Sequence, residues 1–424
     1  MATLSWIGGA AKRAQVQTYL FGGTWEADDI ARLVIGNKTV DVTAGSTVTA
    51  TVVSTVVTAW NALSATDYPE FAEITASANT TTLTLTKDTA GEPFTCTITP
   101  LEANGSAADA QTIGGAGVAT TGTTATTNTG PEDVSVPANW SGGAIPVNGD
   151  TAIVDKEGAR LKYSLDQSAI TLASLRILAK DVEVGLPKTK TGTTPYPEYR
   201  PDFWKIGATS SYTNTNSGRL KLDHGSTVVT YEQDASGASR ETNVPAVLLK
   251  GTHASSVWHI LGGAAGIAFF AGETATLLTL NVNRGTNVVC GTGCTIGTVN
   301  NYGGTLLINS AIATALNHPS ANGGTTTLEG SGGVSLLTMQ SGKCVYNTTG
   351  TLAGDTVLGG SAQLTFDEDQ KSKSVTEPIQ IYNSAVVFSD SNAVIDGGAA
   401  LEFHNCLPTV RLAPDCDIIY ARMD

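Results

Sequence analysis

Paired carboxylates are the residues in this sequence best suited to do chemistry. Asp367 and Asp369 stand about one repeat before Asp390, and Asp396 lies shortly before Glu402. Glycoside hydrolysis uses two such groups about 5 to 9.5 Å apart, one of them held protonated by its surroundings. Here Asp367, Glu368 and Asp369 run directly into Gln370, Lys371, Ser372 and Lys373. A mixed-charge run of this kind is expected to be a solvated turn, and no catalytic residue is assigned. The five histidines, His224, His253, His259, His318 and His404, show neither HxH nor HExxH spacing, so no metal is expected. Asp223 with His224, and His253 with Ser255 and Ser256, supply the residue types of a hydrolase triad. Without a GxSxG elbow they are expected to be hydrogen-bonding turn residues. Gly22-Gly23 and Gly303-Gly304 are followed by neither a Gly-Lys-Ser/Thr signature nor a helix start, which leaves them as corner glycines and implies no cofactor. Cys96, Cys290, Cys294, Cys344, Cys406 and Cys416 form neither a disulfide framework nor a paired CxxC zinc site, and are expected as small buried hydrophobes.

The most distinctive local composition lies at residues 186–204. It combines Pro187, Pro195, Pro197 and Pro201 with Tyr196, Tyr199, Arg200, Phe203 and Trp204. Proline lowers the entropy cost of ordering a loop, and Tyr, Trp and Arg dominate binding hot spots. A contact to a neighbouring subunit through Tyr196, Tyr199, Arg200, Phe203 and Trp204 is the expectation. The alternatives are a loop packed on its own domain and a sugar-stacking surface.

Composition bounds the scaffold that must carry these residues. The chain has 424 residues, 41% hydrophobic and 15% charged, with 46 Gly and a formal net charge of −14. Its 24 Lys and Arg are scattered singly, which argues against a nucleic-acid partner, because phosphate neutralisation needs them clustered. No stretch is apolar enough to suggest a membrane span, and Lys12 and Arg13 follow rather than precede the few apolar residues of the start. The expectation is therefore a Gly- and Thr-rich β protein that carries no secretory signal and is made in the cytoplasm.

Three regions follow from the patterning. Residues 1–112 read as a small α+β domain. Its hairpin runs from Ile30–Ile35 to Lys38–Val42 through Gly36-Asn37. Its helix lies within Thr47–Leu63, where Val52, Val53, Val56, Val57 and Trp60 share one helical face despite their β propensity. Three more strands are predicted at Phe71–Ser77, Thr81–Thr86 and Phe94–Thr99. Residues 113–130 are almost wholly Gly, Ala and Thr and read as a linker. From 131 to 424, short apolar triplets alternate with Gly, Asn and Ser. Apolar residues recur at Phe270, Cys290, Ile308, Leu328, Tyr346, Phe366, Phe388 and Phe403, in steps of 20, 18, 20, 18, 20, 22 and 15. Turn signals sit at matching phase, among them Gly303-Gly304, Gly323-Gly324 and Ser341-Gly342. A period near 20 with short strands predicts a right-handed parallel β-helix rather than a sandwich, whose turns would fall every 8 to 12 residues. Covering the ends and edges of such a coil favours a trimer.

The run Pro137 to Thr151, with Ala138-Asn139-Trp140-Ser141-Gly142-Gly143, Pro146 and Gly149-Asp150, resembles the opening seen before β-helical regions of bacterial surface proteins and structural proteins of tailed bacteriophages. The hairpin-helix pattern of the first domain, together with Pro69 to Ala76, Pro197 to Pro201 and Lys250 to Ser255, is similar to segments of phage virion proteins. The resemblance implies a non-enzymatic virion component, a capsid decoration protein ahead of a tail fibre. Its expected partners are further copies of itself and the major capsid or tail proteins, with neither nucleic acid nor membrane. The rival reading is a tail fibre or tailspike that binds or cleaves host surface polysaccharide.

Overall fold

A short strand that buries alternate residues against its neighbours above and below is stable only as part of a stack. In the computed structural model the sequence period becomes such a stack, a parallel β-solenoid. The structure describes residues 1–114, 120–185, 203–214, 219–238, 242–319, 323–366, 373–382, 384–388, 393–395, 401–404 and 409–412.

Two parallel ladders run its length. In the first, an inward column passes through Leu4, Ala152, Leu175, Ser211, Tyr231, Trp258, Leu280, Val299, Leu316 and Leu337, each opposite the next in register. In the second, Trp204, Leu222, Leu249, Ile267, Cys290, Ile308, Leu328 and Tyr346 are successive partners. The Tyr346 and Phe366 rings meet at 5.6 Å between centroids, and the backbone ladder continues from Phe366 to Phe388 and Leu412. A third, shorter ladder joins Thr351–Leu352, Lys373–Val375 and Ala393–Ile395.

The predicted column is therefore present from Cys290 to Phe366 and continues to Phe388 in backbone register, with a correction at each end. Ile267, not Phe270, faces Cys290, and Leu412, not Phe403, follows Phe388. Phe270 lies beyond the end of strand Ala264–Ile267, with its backbone N–H tied to the Glu273 carboxylate, and Phe403 pairs with Ile381 on the first ladder. Both are apolar residues at nearly the right spacing, but a corner of different length shifts their phase.

One corner shows why glycine recurs there. Asn301 is buried, and its Oδ1 accepts from the backbone N–H groups of Gly303 at 3.0 Å and Gly304 at 2.8 Å. On the next rung, a Cβ on Gly324 would sit 2.5 Å from that same Oδ1. Only a residue without a side chain lets the neighbouring corner approach so closely.

The small module has its own core. Helix Thr49–Asn61 buries Val52, Val53, Val56 and Trp60, and Trp60 Nε1 donates to Ile74 O at 2.7 Å. The hairpin pairs Ile30–Ile35 with Lys38–Thr43, closing at Ile35 and Lys38. Phe71 corrects a strand prediction. Pro69 opens a short helix, Pro69–Ala72, and Phe71 packs 4.7 Å from Trp60, so the strand starts at Ile74.

Two boundaries also change. Thr3–Ser5 pairs in parallel with Thr151–Val154, which makes it the first solenoid strand. Parallel neighbours need a crossover connection. Here the whole small module is that crossover. Within the expected linker, Thr120–Thr121 pairs with Thr97–Ile98, and Thr123–Thr126 pairs with Val16–Thr18. Threonine has enough β propensity to extend an existing sheet even where it cannot build a core.

The inward column is testable by its contrast with adjacent positions. Leu328→Ala should destabilise the chain by about 2–5 kcal/mol in urea unfolding. Thr327→Ala, one residue away on the outward side, should cost under about 0.5 kcal/mol. Equal effects would remove the basis for the column.

Candidate functional site

Asn139 and Trp140 organise the base of the solenoid. Pro137–Asn139 and Ser141–Gly143 form two single turns. Asn139 is fully buried between them. Its Nδ2 donates to Gly130 O and Asp133 O, both at 2.7 Å, and its Oδ1 accepts from Ala10 N at 2.8 Å. The Asn139 backbone O accepts from Ile7 and Gly8. One side chain thus ties the segment entering the small module to the segment returning from it. Trp140 donates to Val134 O at 2.9 Å and packs edge-on to Trp6 with centroids 5.1 Å apart. Ser141 Oγ accepts from Ser5 N, and Asp150 Oδ1 accepts from Ala2 N at 2.6 Å. The hydrogen bond from Ala2 and a second from Val147 hold the Asp150 carboxyl below its ordinary pKa. The resemblance placed this motif at the opening of the coil; the strand it receives, Thr3–Ser5, lies far away in the chain and carries no comparable signal.

The expected subunit-contact residues divide. Tyr196, Tyr199 and Arg200 lie outside the described residues. Phe203 and Trp204 are buried in the chain's own solenoid, which corrects their assignment to a subunit surface. Trp204 is an inward residue opposite Leu222, with Nε1 donating to Gln167 Oε1 at 3.2 Å. Phe203 lies under Lys250, whose Nζ is 3.9 Å from the ring centroid and also faces Asp223 at 3.6 Å. Hot-spot composition and core composition share their aromatics, and here burial took them.

The candidate chemistry is likewise dispersed. Asp367, Asp369, Asp390 and Asp396 lie outside the described residues, and Glu402 faces His404 Nε2 at 3.6 Å. His224 points inward, with Nδ1 3.1 Å from Ile206 O, whereas Asp223 accepts from Gly225 N on the other side of the strand. His253 Nδ1 accepts from Ser255 N, a local turn. Cys96, Cys290, Cys294 and Cys344 are buried, and burial pushes the Cys344 thiol up to about 12. Among the described residues, no three His, Cys, Asp or Glu side chains gather as a metal cluster, and no helix is long and apolar enough to cross a membrane.

A second feature was not anticipated. On the outward face of the first ladder, Tyr212, Glu232, His259, Asn281, Asn300, Asn317 and Thr338 occupy one register column. Asn317 Nδ2 donates to Asn300 Oδ1 at 2.9 Å, and Asn300 Nδ2 donates to Asn281 Oδ1 at 2.8 Å. Asn281 Nδ2 lies 3.1 Å from His259 Nδ1. Beside this amide ladder, Asn300, Tyr302, Asn317, Pro319, Thr338 and Gln340 line a groove of about 480 Å³. The signal in the sequence was the spacing of Asn281, Asn300 and Asn317 by 19 and 17 residues, the period of the apolar column. A cleft of about 850 Å³, lined in part by Phe94, Ile145 and Gln167, marks the seam between the module and the solenoid, where Tyr163 OH donates to Glu92 at 3.0 Å.

Comparison with protein families, with curated proteins and with solved structures gives no match.

The base predicts an unforgiving asparagine. Asn139→Asp can still accept from Ala10 but cannot donate to the two carbonyls. It should cost at least about 2 kcal/mol, as should Asn139→Ala, with hydrogen exchange rising first at Leu4 to Trp6. Acid is a second probe. Burial lowers the pKa of His318 from 6.5 to about 4 and lowers that of His224 as well. The unfolded chain then binds more protons than the folded one below about pH 6.5, so stability is full above that value and declines toward pH 4. The depressed Asp150 adds to the loss at the acid end. Thermal melts across this range should fall on acidification, and His318→Gln should shallow the decline.

Proposed function

We propose that the chain is a structural element of a bacteriophage virion, most simply a capsid decoration protein that acts as a stiff surface rod without catalysing a reaction. The observation that supports this reading is the continuity of the inner ladders. From Leu4 to Ile381, backbone pairing and inward apolar residues run from rung to rung, with the small module inserted at the base. A body built in this way resists bending along its axis and offers two distinct parts, a compact module for docking and a long side for display. The resemblance of Pro137 to Thr151 to the openings of phage β-helical proteins supplies the setting. Its geometry here is that of a base clamp, which suits a protein loaded mechanically.

Two carboxylates of the solenoid are occupied by structural partners. Glu183 pairs with Arg160 at 3.3 Å and Arg219 at 3.1 Å, and Asp166 pairs with Lys205 at 2.8 Å. These two carboxylates are thereby held in structural ion pairs. Homotrimerisation, with docking on the major capsid protein, completes the proposal, and a tail fibre or tailspike is the alternative placement.

Quantitative mass spectrometry of purified particles separates these readings. A copy number in step with the capsid subunits is expected. A few copies per particle would move the protein to the tail, and absence from the particle would overturn the virion reading. Sedimentation equilibrium of the purified chain should give a three-chain mass; a monomer would overturn the trimer.

A further inference from the structure

We propose that the outward face of the first ladder around Tyr302 binds an extended, uncharged glycan chain. The face spans four consecutive strands, Ala275–Val282, Cys294–Asn301, Ile312–His318 and Leu337–Tyr346. Their outward positions and immediate extensions are Thr279, Asn281 and Asn283; Thr298, Asn300 and Tyr302; Ala315, Asn317 and Pro319; and Leu336, Thr338 and Gln340. None is charged, in a chain of net charge −14. A face kept free of charge on so acidic a protein suits a neutral ligand, since ionic partners are steered by fields this strip does not provide.

The amides define what that ligand must offer. An Asn side chain has two N–H donors and an oxygen with two lone pairs. Asn300 spends one donor on Asn281 and one acceptor site on Asn317. A donor and an acceptor site therefore remain on Asn300, and a donor and acceptor capacity on Asn317. Parallel rungs repeat about every 4.8 Å, close to the length of one pyranose along an extended glycan. Hydroxyl groups, which both donate and accept, match this alternation. Because the ladder already holds the amides in place, little side-chain freedom is lost on binding.

The groove adds the apolar half of the recognition. Tyr302 is 39% exposed at its edge, beside Pro319. An aromatic face stacks on the C–H face of a sugar while its hydroxyl stays wet, the amphipathic use to which Tyr is suited. A second copy of this protein would instead favour a larger apolar centre than Tyr302, Pro319 and the half-exposed Leu336 supply.

The proposal does not depend on where a particle would carry the rod, and its test is separate from the particle measurement. Full-length protein is titrated calorimetrically with maltohexaose, cellohexaose, mannohexaose and N-acetylchitohexaose, with sedimentation velocity run in parallel. Binding of at least one hexasaccharide is expected, weakened about tenfold or more by Tyr302→Ala and also by Gln340→Ala, with unchanged thermal melts. Thr327→Ala, on the outward side of the second ladder, should bind as the unaltered chain does. Failure of all four sugars to bind overturns the proposal, as does binding that survives Tyr302→Ala. Self-association abolished by Tyr302→Ala would also overturn it and assign the face to a second copy.

Discussion

The solenoid depends on one constraint: an inward side chain of a parallel rung is removed from water only by the rungs on either side of it. Ile308 is buried because Cys290 and Leu328 face it, and each of those depends in turn on its own neighbours. Stability is therefore distributed along the stack, and the terminal rungs are the exposed points. The base resolves this with Trp6 and Trp140 set edge to face, and with Asn139 pairing the Ala10 amide and the Gly130 and Asp133 carbonyls of the segments that cross there. An apolar residue could fill the same volume, but it would strand two carbonyls and an amide in a dry site.

The same repetition that buries one face aligns the other. Once the inward residues are in register, the outward ones must be too, so asparagines spaced for the core period become a hydrogen-bonded ladder without further design. Stacking gives the amides a fixed geometry and leaves part of their hydrogen-bonding capacity directed to solvent. The buried core and the outward amide ladder are here two consequences of one period. The ion pairs follow the same rule. Arg160, Glu183 and Arg219 are successive register partners, and their alternating charge keeps like charges from stacking.

Much of the coil was legible because the period is short and its inward residues are large. Cys290, Ile308, Leu328, Tyr346 and Phe366 recur at 18 to 20 residues and do stack. The helix at Thr49–Asn61 was legible for a similar reason, its four buried residues outweighing a β-branched composition. Phe270 and Phe403 misled because spacing alone does not report corner length. The amide ladder was missed because polar residues in a turn-rich chain carry no burial signal to set them apart from solvated turns.

Local order was written in the chain itself: the parallel coil, the glycine corners, the hairpin and the module's helix all follow from periodicity and backbone preference. Contacts between distant segments were decided only by the fold. That Thr3–Ser5 is the first rung, that Thr120–Thr126 joins the module's sheets, and that Trp204 faces inward while Phe203 is buried beneath Lys250 all rest on pairings across long separations. A strand of three residues has no pattern long enough to name its partner. Its place is chosen by whichever edge leaves the fewest hydrogen bonds unmade.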